Sequence, residues 1–210
     1  MKKIFFTFLL FAICINGFSQ NRRQLSESEA QVFQQKMVEH SRSIQTLRCT
    51  FVQERTSTIV SGTAVTRGTM LYRTPSMLRW EYAEPTPSTL ILNGNNATLL
   101  DQNGNRMGNE RMLRQLGGII ISMINGTGIT QNRQFSSRFY NVSQTETLVV
   151  LIPNQRRLQE LYDKIELRVN SQTMLANTIT LYEKNGDKTK ITLANKILNA
   201  EIPQSKFAIQ

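Results

Sequence analysis

From Leu47 onward, apolar side chains recur at every second position. In "LRCTFVQERT", residues 47 to 56, Leu47, Cys49, Phe51 and Gln53 alternate with Arg48, Thr50, Val52 and Glu54. A period of two sends the two sets to opposite faces, which is the pattern of an antiparallel strand buried on one side. The pattern continues in "TRGTMLYRT" and "MLRWEYA", with Pro75 between them. The residue before a proline is held extended, so the chain turns there without forming a helix. In the second run Leu78, Trp80 and Tyr82 share one face, and Arg79 and Glu81 the other. The apolar face covers either a private core or a cavity for something apolar from outside.

Further strands follow closely. "STLILNG" and "ATLLDQNG" lead into "DQNGN", a hairpin turn in which glycine supplies positive φ. The second half, "YNVSQTETLVVLIP" and "YDKIELRVNSQTMLANTITLYEKNGDKTKITLANKIL", reads as four or five strands with "NSQT" and "KNGD" as turns. No repeat or low-complexity linker interrupts the series. Ahead of it, residues 26 to 46 read as a helix, because Ser26 can cap with Glu29 three positions on. Val32 or Phe33, then Met37, Ile44 and Leu47, form its apolar stripe, and His40 falls among polar neighbours on the exposed side.

One segment departs from the alternation. Residues 109 to 124, "NERMLRQLGGIIISMI", are longer than a strand and carry Met112, Leu113 and Leu116 at helical spacing. They read as one helix, or as two short ones broken at Gly117 and Gly118. The segment is far more apolar than a surface connection.

The chain opens "MKKIFFTFLLFAICINGFSQ", with Lys2 and Lys3 ahead of an apolar run from Ile4 to Ile15 and small residues at Gly17 and Ser19. This is the pattern of a secretory signal peptide over residues 1–20, and the run stops short of the roughly 20 apolar residues of a membrane helix. Ile13, not a small residue, precedes Cys14, so a lipid anchor is not expected. Residues 21–210 are then expected to form one domain. Removing the two lysines lowers the net charge from +10 to +8, leaving 23 basic against 15 acidic residues. The basic clusters are short and lack interleaved aromatics, which argues against nucleic acid and leaves either an anionic membrane or acidic partner to meet, or a surface that only keeps the protein in solution. Cys49 alone survives cleavage, so no internal disulfide is available and stability rests on burial.

Catalysis has little material. One histidine and one mature cysteine, in unremarkable contexts, make neither a serine triad nor a cysteine protease, and no metal-ligand spacing occurs. No cofactor is expected.

The N-terminal helix, the "FVQ" strand at 51, "GTMLYRTPSMLRWEYAEP" from 68, the apolar insert and "ITLYEKNGDKTKITLANKILNAEIPQSKFAI" resemble, in that order, the outer-membrane lipoprotein carrier family, LolA and its relatives. The resemblance implies a mainly β fold with some α: a curved antiparallel sheet, an incomplete β-barrel, covered by an N-terminal helix and short lid helices. It implies a monomeric periplasmic carrier, not an enzyme, that takes the acyl chains of lipoproteins from an inner-membrane donor to an outer-membrane acceptor. Phe51, Leu78, Trp80 and Tyr82 would line the cavity wall or support it from one layer beneath. Leu116, Ile119, Ile120, Met123 and Ile124 would fill the empty cavity from a lid, with Gly117 and Gly118 as its hinge. Some members carry a basic residue directly before the proline of this motif; here Thr74 stands there, so no lid-latching arginine carries over. Two other readings fit the same strands: a sensor of lipid or lipoprotein on the same fold, and a structural envelope protein without a cavity.

Overall fold

The computed structural model describes residues 22–124 and 134–209, so the expected signal peptide lies outside the described residues. The first helix, α1, spans Glu27–Arg42. Ser26 and Glu29 form the expected capping box, with the Glu29 carboxylate accepting from the Ser26 amide at 2.8 Å. Arg23 also donates twice to that carboxylate at 2.9 Å, and these bonds hold the Glu29 carboxyl down at about 2. The helix is shorter than its apolar spacing suggests. The chain leaves it at Ser43, where Asn199 accepts from the Gln45 amide and donates to the Ser43 carbonyl. Ile44 and Leu47 are buried beyond the helix end, not along its stripe.

Of the two candidates for the start of that stripe, Phe33 is buried and Val32 is 53% exposed. Phe33 packs on Phe139 with ring centroids 5.8 Å apart. His40, expected on the exposed side, is half-buried, and its Nε2 is shielded without a hydrogen-bond partner. No cluster of His, Cys, Asp and Glu able to hold a metal occurs among the described residues.

Among the described residues, twelve strands form one open sheet. A first meander runs through β2 (Thr46–Thr56), β3 (Thr63–Arg73), β4 (Met77–Glu84), β5 (Ser88–Asn93), β6 (Asn96–Asp101) and the short β7 (Arg106–Met107). A second runs through β8 (Phe135–Ser143), β9 (Glu146–Pro153), β10 (Tyr162–Asn170), β11 (Ala176–Glu183) and β12 (Lys188–Leu198). Each step within a meander is an antiparallel neighbour, as the turn signals require. The Asp101 side chain closes the β6–β7 turn by accepting from the amides of Asn103 and Asn105, and Gly104 takes φ +82°. The meanders join where β12 pairs with β2, and β1 (Arg23–Gln24) adds to β8 at the far edge. The edges β1 and β7 do not meet, so the barrel is incomplete.

Register carries the alternation across the sheet. Leu193, Phe51, Gly68 and Tyr82 are successive cross-strand partners on one face. A Cβ on Gly68 would lie 1.7 Å from the Glu81 carbonyl oxygen and 2.7 Å from the Phe51 ring, so only glycine lets that ring lie over the strand. Both α1 and a second helix, α2 (Glu110–Ile124), cover this inner face. On the outer face the C-terminal segment is held by backbone carbonyls: Ile202 accepts from Arg73, Lys206 from Arg79 and Phe207 from Asn93. No helix among the described residues is long and apolar enough to cross a membrane.

Cys49 faces inward opposite Met70 and is 1% exposed, and burial pushes its thiol up to about 11. Against an ordinary value of 9.0, that rise alone cuts the thiolate fraction at pH 8 about a hundredfold. A thiol reagent should therefore label Cys49 slowly in native protein and quickly in denaturant. Because the folded thiol stays protonated where the unfolded one ionises, stability should fall as pH rises above about 9 and level off past about 11. Fast native labelling would place Cys49 on the wrong face.

Candidate functional site

Helix α2 connects the two meanders and lies mainly on β6, with further contact to β4 and β5. Asn109 starts it by accepting from the Arg111 amide, and Arg114 reaches the Asn95 carbonyl at 3.1 Å. The helix continues through both glycines, so of the two forms open to the sequence the structure adopts the single one. The glycines differ in surroundings. A Cβ on Gly117 would lie 2.3 Å from a Leu92 methyl, while a Cβ on Gly118 would meet nothing within 4 Å. Gly117 is thus the point of closest approach between helix and sheet.

Beneath the C-terminal half of α2 the sheet and helix leave two cavities. The first, about 40 Å³, is bounded by Met70, Trp80, Ile120, Met123, Ile124 and Lys196, among others. The second, about 210 Å³, is bounded by Trp80, Tyr82, Leu90, Ile119, Ile120 and Met123, among others. Trp80, Ile120, Met123 and Ile179 belong to both walls, so they form the partition. Lys196 is the sole charged side chain on either wall among the described residues.

Six of the residues singled out from sequence therefore meet at one place: Trp80 and Tyr82 from the sheet, and Ile119, Ile120, Met123 and Ile124 from α2. Phe51 and Leu78 stand behind them. Phe51 lies with its ring centroid 4.3 Å from that of Trp80 and 5.4 Å, edge-on, from Tyr82. Leu78 is fully buried, paired across the sheet with Tyr72 and Leu92. The side chain of Leu116 lies outside the described residues. Gly117 and Gly118 border the helix's contact with Leu92, and neither bounds a cavity.

The polar groups of the wall are few. The Tyr82 hydroxyl donates to Gln53 at 3.3 Å, and burial raises its pKa against the influence of the neighbouring indole. Trp80 Nε1 is buried without a hydrogen-bond partner. Sequence reasoning missed the contribution of the second meander. Ile179, Leu181 and Ile191 complete the larger cavity from β11 and β12, and their alternation was visible, but not that β12 returns beside β2.

This is an incomplete β-barrel with an apolar hollow between its sheet and a covering helix. The family model for the outer membrane lipoprotein carrier protein LolA matches residues 42–210, and the chain belongs to that family. The match starts at the end of α1, so that helix lies ahead of it. No curated protein matches the sequence. Among solved structures, the LolA superfamily protein NE2245 from Nitrosomonas europaea aligns over 83% of this chain and 97% of its own, at 12% identity and TM-score 0.44. MucB, solved also in its complex with MucA from Pseudomonas aeruginosa, aligns over 88% of this chain and 64% of its own, at 14% identity and TM-score 0.51. The Mycobacterium tuberculosis lipoprotein LppX aligns over 85% and 99%, at 9% identity and TM-score 0.48. At such identities the likeness is one of fold.

The two glycines give a paired prediction. Gly118→Ala should stabilise the protein by about 0.5–1 kcal/mol, because it removes backbone freedom in a helix without touching a neighbour. Gly117→Ala should cost about 1–3 kcal/mol, since Leu92 is itself buried and must yield. Denaturant unfolding checks both, and equal effects would mean that α2 does not seat on Leu92.

Proposed function

We propose that the chain is a non-enzymatic periplasmic carrier, delivered by the signal peptide of residues 1–20, whose domain spans residues 21–210. It holds the acyl chains of lipoproteins beneath α2 while they pass from an inner-membrane donor to an outer-membrane acceptor. The observation that supports this most is the partition. Ile120 and Met123 of a single helix divide one apolar hollow into spaces of about 40 and 210 Å³. Ligand pockets usually offer about 300–1,000 Å³, so neither space takes a long acyl chain until the helix moves. Moving α2 merges them.

The energetics favour such a plug. A sixteen-carbon chain gains about 0.8 kcal/mol per buried CH₂, about 13 kcal/mol in all, and a carrier that tight does not release its cargo. Ile119, Ile120, Met123 and Ile124 fill the empty hollow and compete with the lipid, each regaining about 1.5–3 kcal/mol when buried again. Met123 adapts its shape to what it meets. Gly117 and Gly118 lower the cost of bending α2 at its contact with the sheet. Membership of the lipoprotein carrier family supports the choice of cargo. The excess of basic residues suits approach to an anionic membrane.

Trp80 is the one tryptophan and borders both cavities, so its fluorescence reports the hollow directly. A long-chain acyl ligand should shift it as the helix leaves and the lipid enters. Ile120→Glu should abolish this shift, because a carboxylate facing an apolar wall is disfavoured by several kcal/mol, about 2–7 for an unpaired polar group. The empty variant should hold α2 open, bind more apolar dye and retain less lipid. Unchanged lipid retention in a stably folded Ile120→Glu protein would end the plug reading. Depletion in the native host should leave lipoproteins at the inner membrane, and a sensor would instead change a partner's activity without that build-up.

A further inference from the structure

A lysine has been turned into the apolar hollow by an irregularity in β12. Alternation from Ile191 and Leu193 would carry Asn195 and Ile197 inward and leave Lys196 outside. The ladder to β2 breaks there: Ala194 pairs with Thr50 and Ile197 with Arg48, so Asn195 and Lys196 together oppose Cys49. This is a β-bulge, the device that re-aims a side chain to the other face. Asn195 takes φ +52°, in the left-handed region that asparagine tolerates, and donates to the Thr50 hydroxyl at 3.1 Å. The result is that Asn195 and Ile197 are exposed while Lys196 is half-buried on the wall of the smaller cavity.

The lysine arrives there without a counter-ion among the described residues. Its ammonium makes one hydrogen bond, 2.8 Å to the neutral Asn177 side chain, although it carries three donors. Burial lowers its pKa, opposed by the Cys49 thiol, and no carboxylate acts on it. Trp80 shares this wall through its ring, and its Nε1 lies beside the Tyr82 hydroxyl on the side of the larger cavity. A purely structural bulge would leave the lysine in water. A lysine with no carboxylate partner on an otherwise apolar wall suits an anionic oxygen on an apolar body.

We infer that Lys196 is a headgroup-recognising residue of the hollow, and that it takes an anionic amphiphile whose carboxylate or phosphate oxygen meets the Lys196 ammonium while its chain lies beneath α2. The inference rests on the carrier reading for the chain's place under α2 and names a further ligand beside lipoproteins, whose ester- and amide-linked acyl chains carry no such anion. A fatty-acid carboxylate and a phospholipid phosphate present the same oxygen chemistry, and binding distinguishes them.

The test is titration of the full mature protein, followed by Trp80 fluorescence, with four probes at monomeric concentration: palmitate, hexadecanol, dipalmitoyl phosphatidic acid and dipalmitoylglycerol. Palmitate should bind about tenfold more tightly than hexadecanol if the carboxylate is the natural head, and phosphatidic acid about tenfold more tightly than dipalmitoylglycerol if the phosphate is. In Lys196→Met the favoured ratio should fall to about one, and in Lys196→Arg it should persist. Neutral and anionic probes binding equally to the wild type would overturn the inference and leave the carrier reading intact. So would an equal loss of all four probes in Lys196→Met, which would make the lysine a prop for the wall. If no acyl probe binds the wild type, the carrier reading and the inference both fail.

Discussion

The burial of one helix against an unclosed sheet is the contact on which the rest of this molecule depends. An antiparallel sheet with one apolar face needs a second layer, and a barrel that fails to close leaves that face as a hollow. Here α1 covers the side near β8 through Phe33 and Met37, and α2 covers the side of β4 to β6. Gly117 brings α2 down onto Leu92 at one point. The later residues of the helix, from Ile119 to Ile124, stand over the deeper part of the hollow and fill it only partly.

The two sides of that contact are built to different standards. On the sheet, Phe51, Trp80 and Tyr82 lie ring against ring over a glycine that no other residue can replace, and Leu78 is fully enclosed behind them. On the helix, unbranched Met123 and half-buried Ile120 and Ile124 meet the cavities with space to spare. The outer face adds to the contrast. There Arg73, Arg79 and Asn93 fasten the C-terminal segment, whose Ile202 and Phe207 are buried against the strands. In the proposed carrier, strain from an incoming chain would find its weakest resistance at α2.

The strands were legible because their physics is local. A period of two, interrupted by "DQNG", "NSQT" and "KNGD", gives both meanders and most of the inward set, including Cys49, Phe51 and Trp80. The capping box of Ser26 and Glu29 was legible for the same reason. What sequence did not give was set by partners far away in the chain. The end of α1 is decided by Asn199, more than 150 positions on, and the choice of Phe33 over Val32 by a ring on β8. The adjacency of β12 and β2, which completes the cavity wall, has no local signature at all. The role proposed for α2 rests on family resemblance, since an apolar helix reads alike whether it is permanent core or movable cover.

Lys196 shows where parity reading fails and why the failure is informative. Counting by twos from Leu193 puts it in water, and one extra residue opposite Cys49 puts it on the cavity wall instead. The only trace in the sequence is Asn195, a residue able to take the left-handed backbone that the bulge needs. A bulge disrupts a ladder and its extra residue goes unpaired, so a strand keeps one against that cost when the re-aimed side chain has something to meet. In a wall otherwise made of isoleucine, leucine, methionine, an alanine and the Trp80 ring, a cation with one neutral partner is the feature that hydrophobic burial alone does not account for. In the proposed role the apolar surface would set how much chain the hollow can hold, and the bulge which end of that chain it can tell apart.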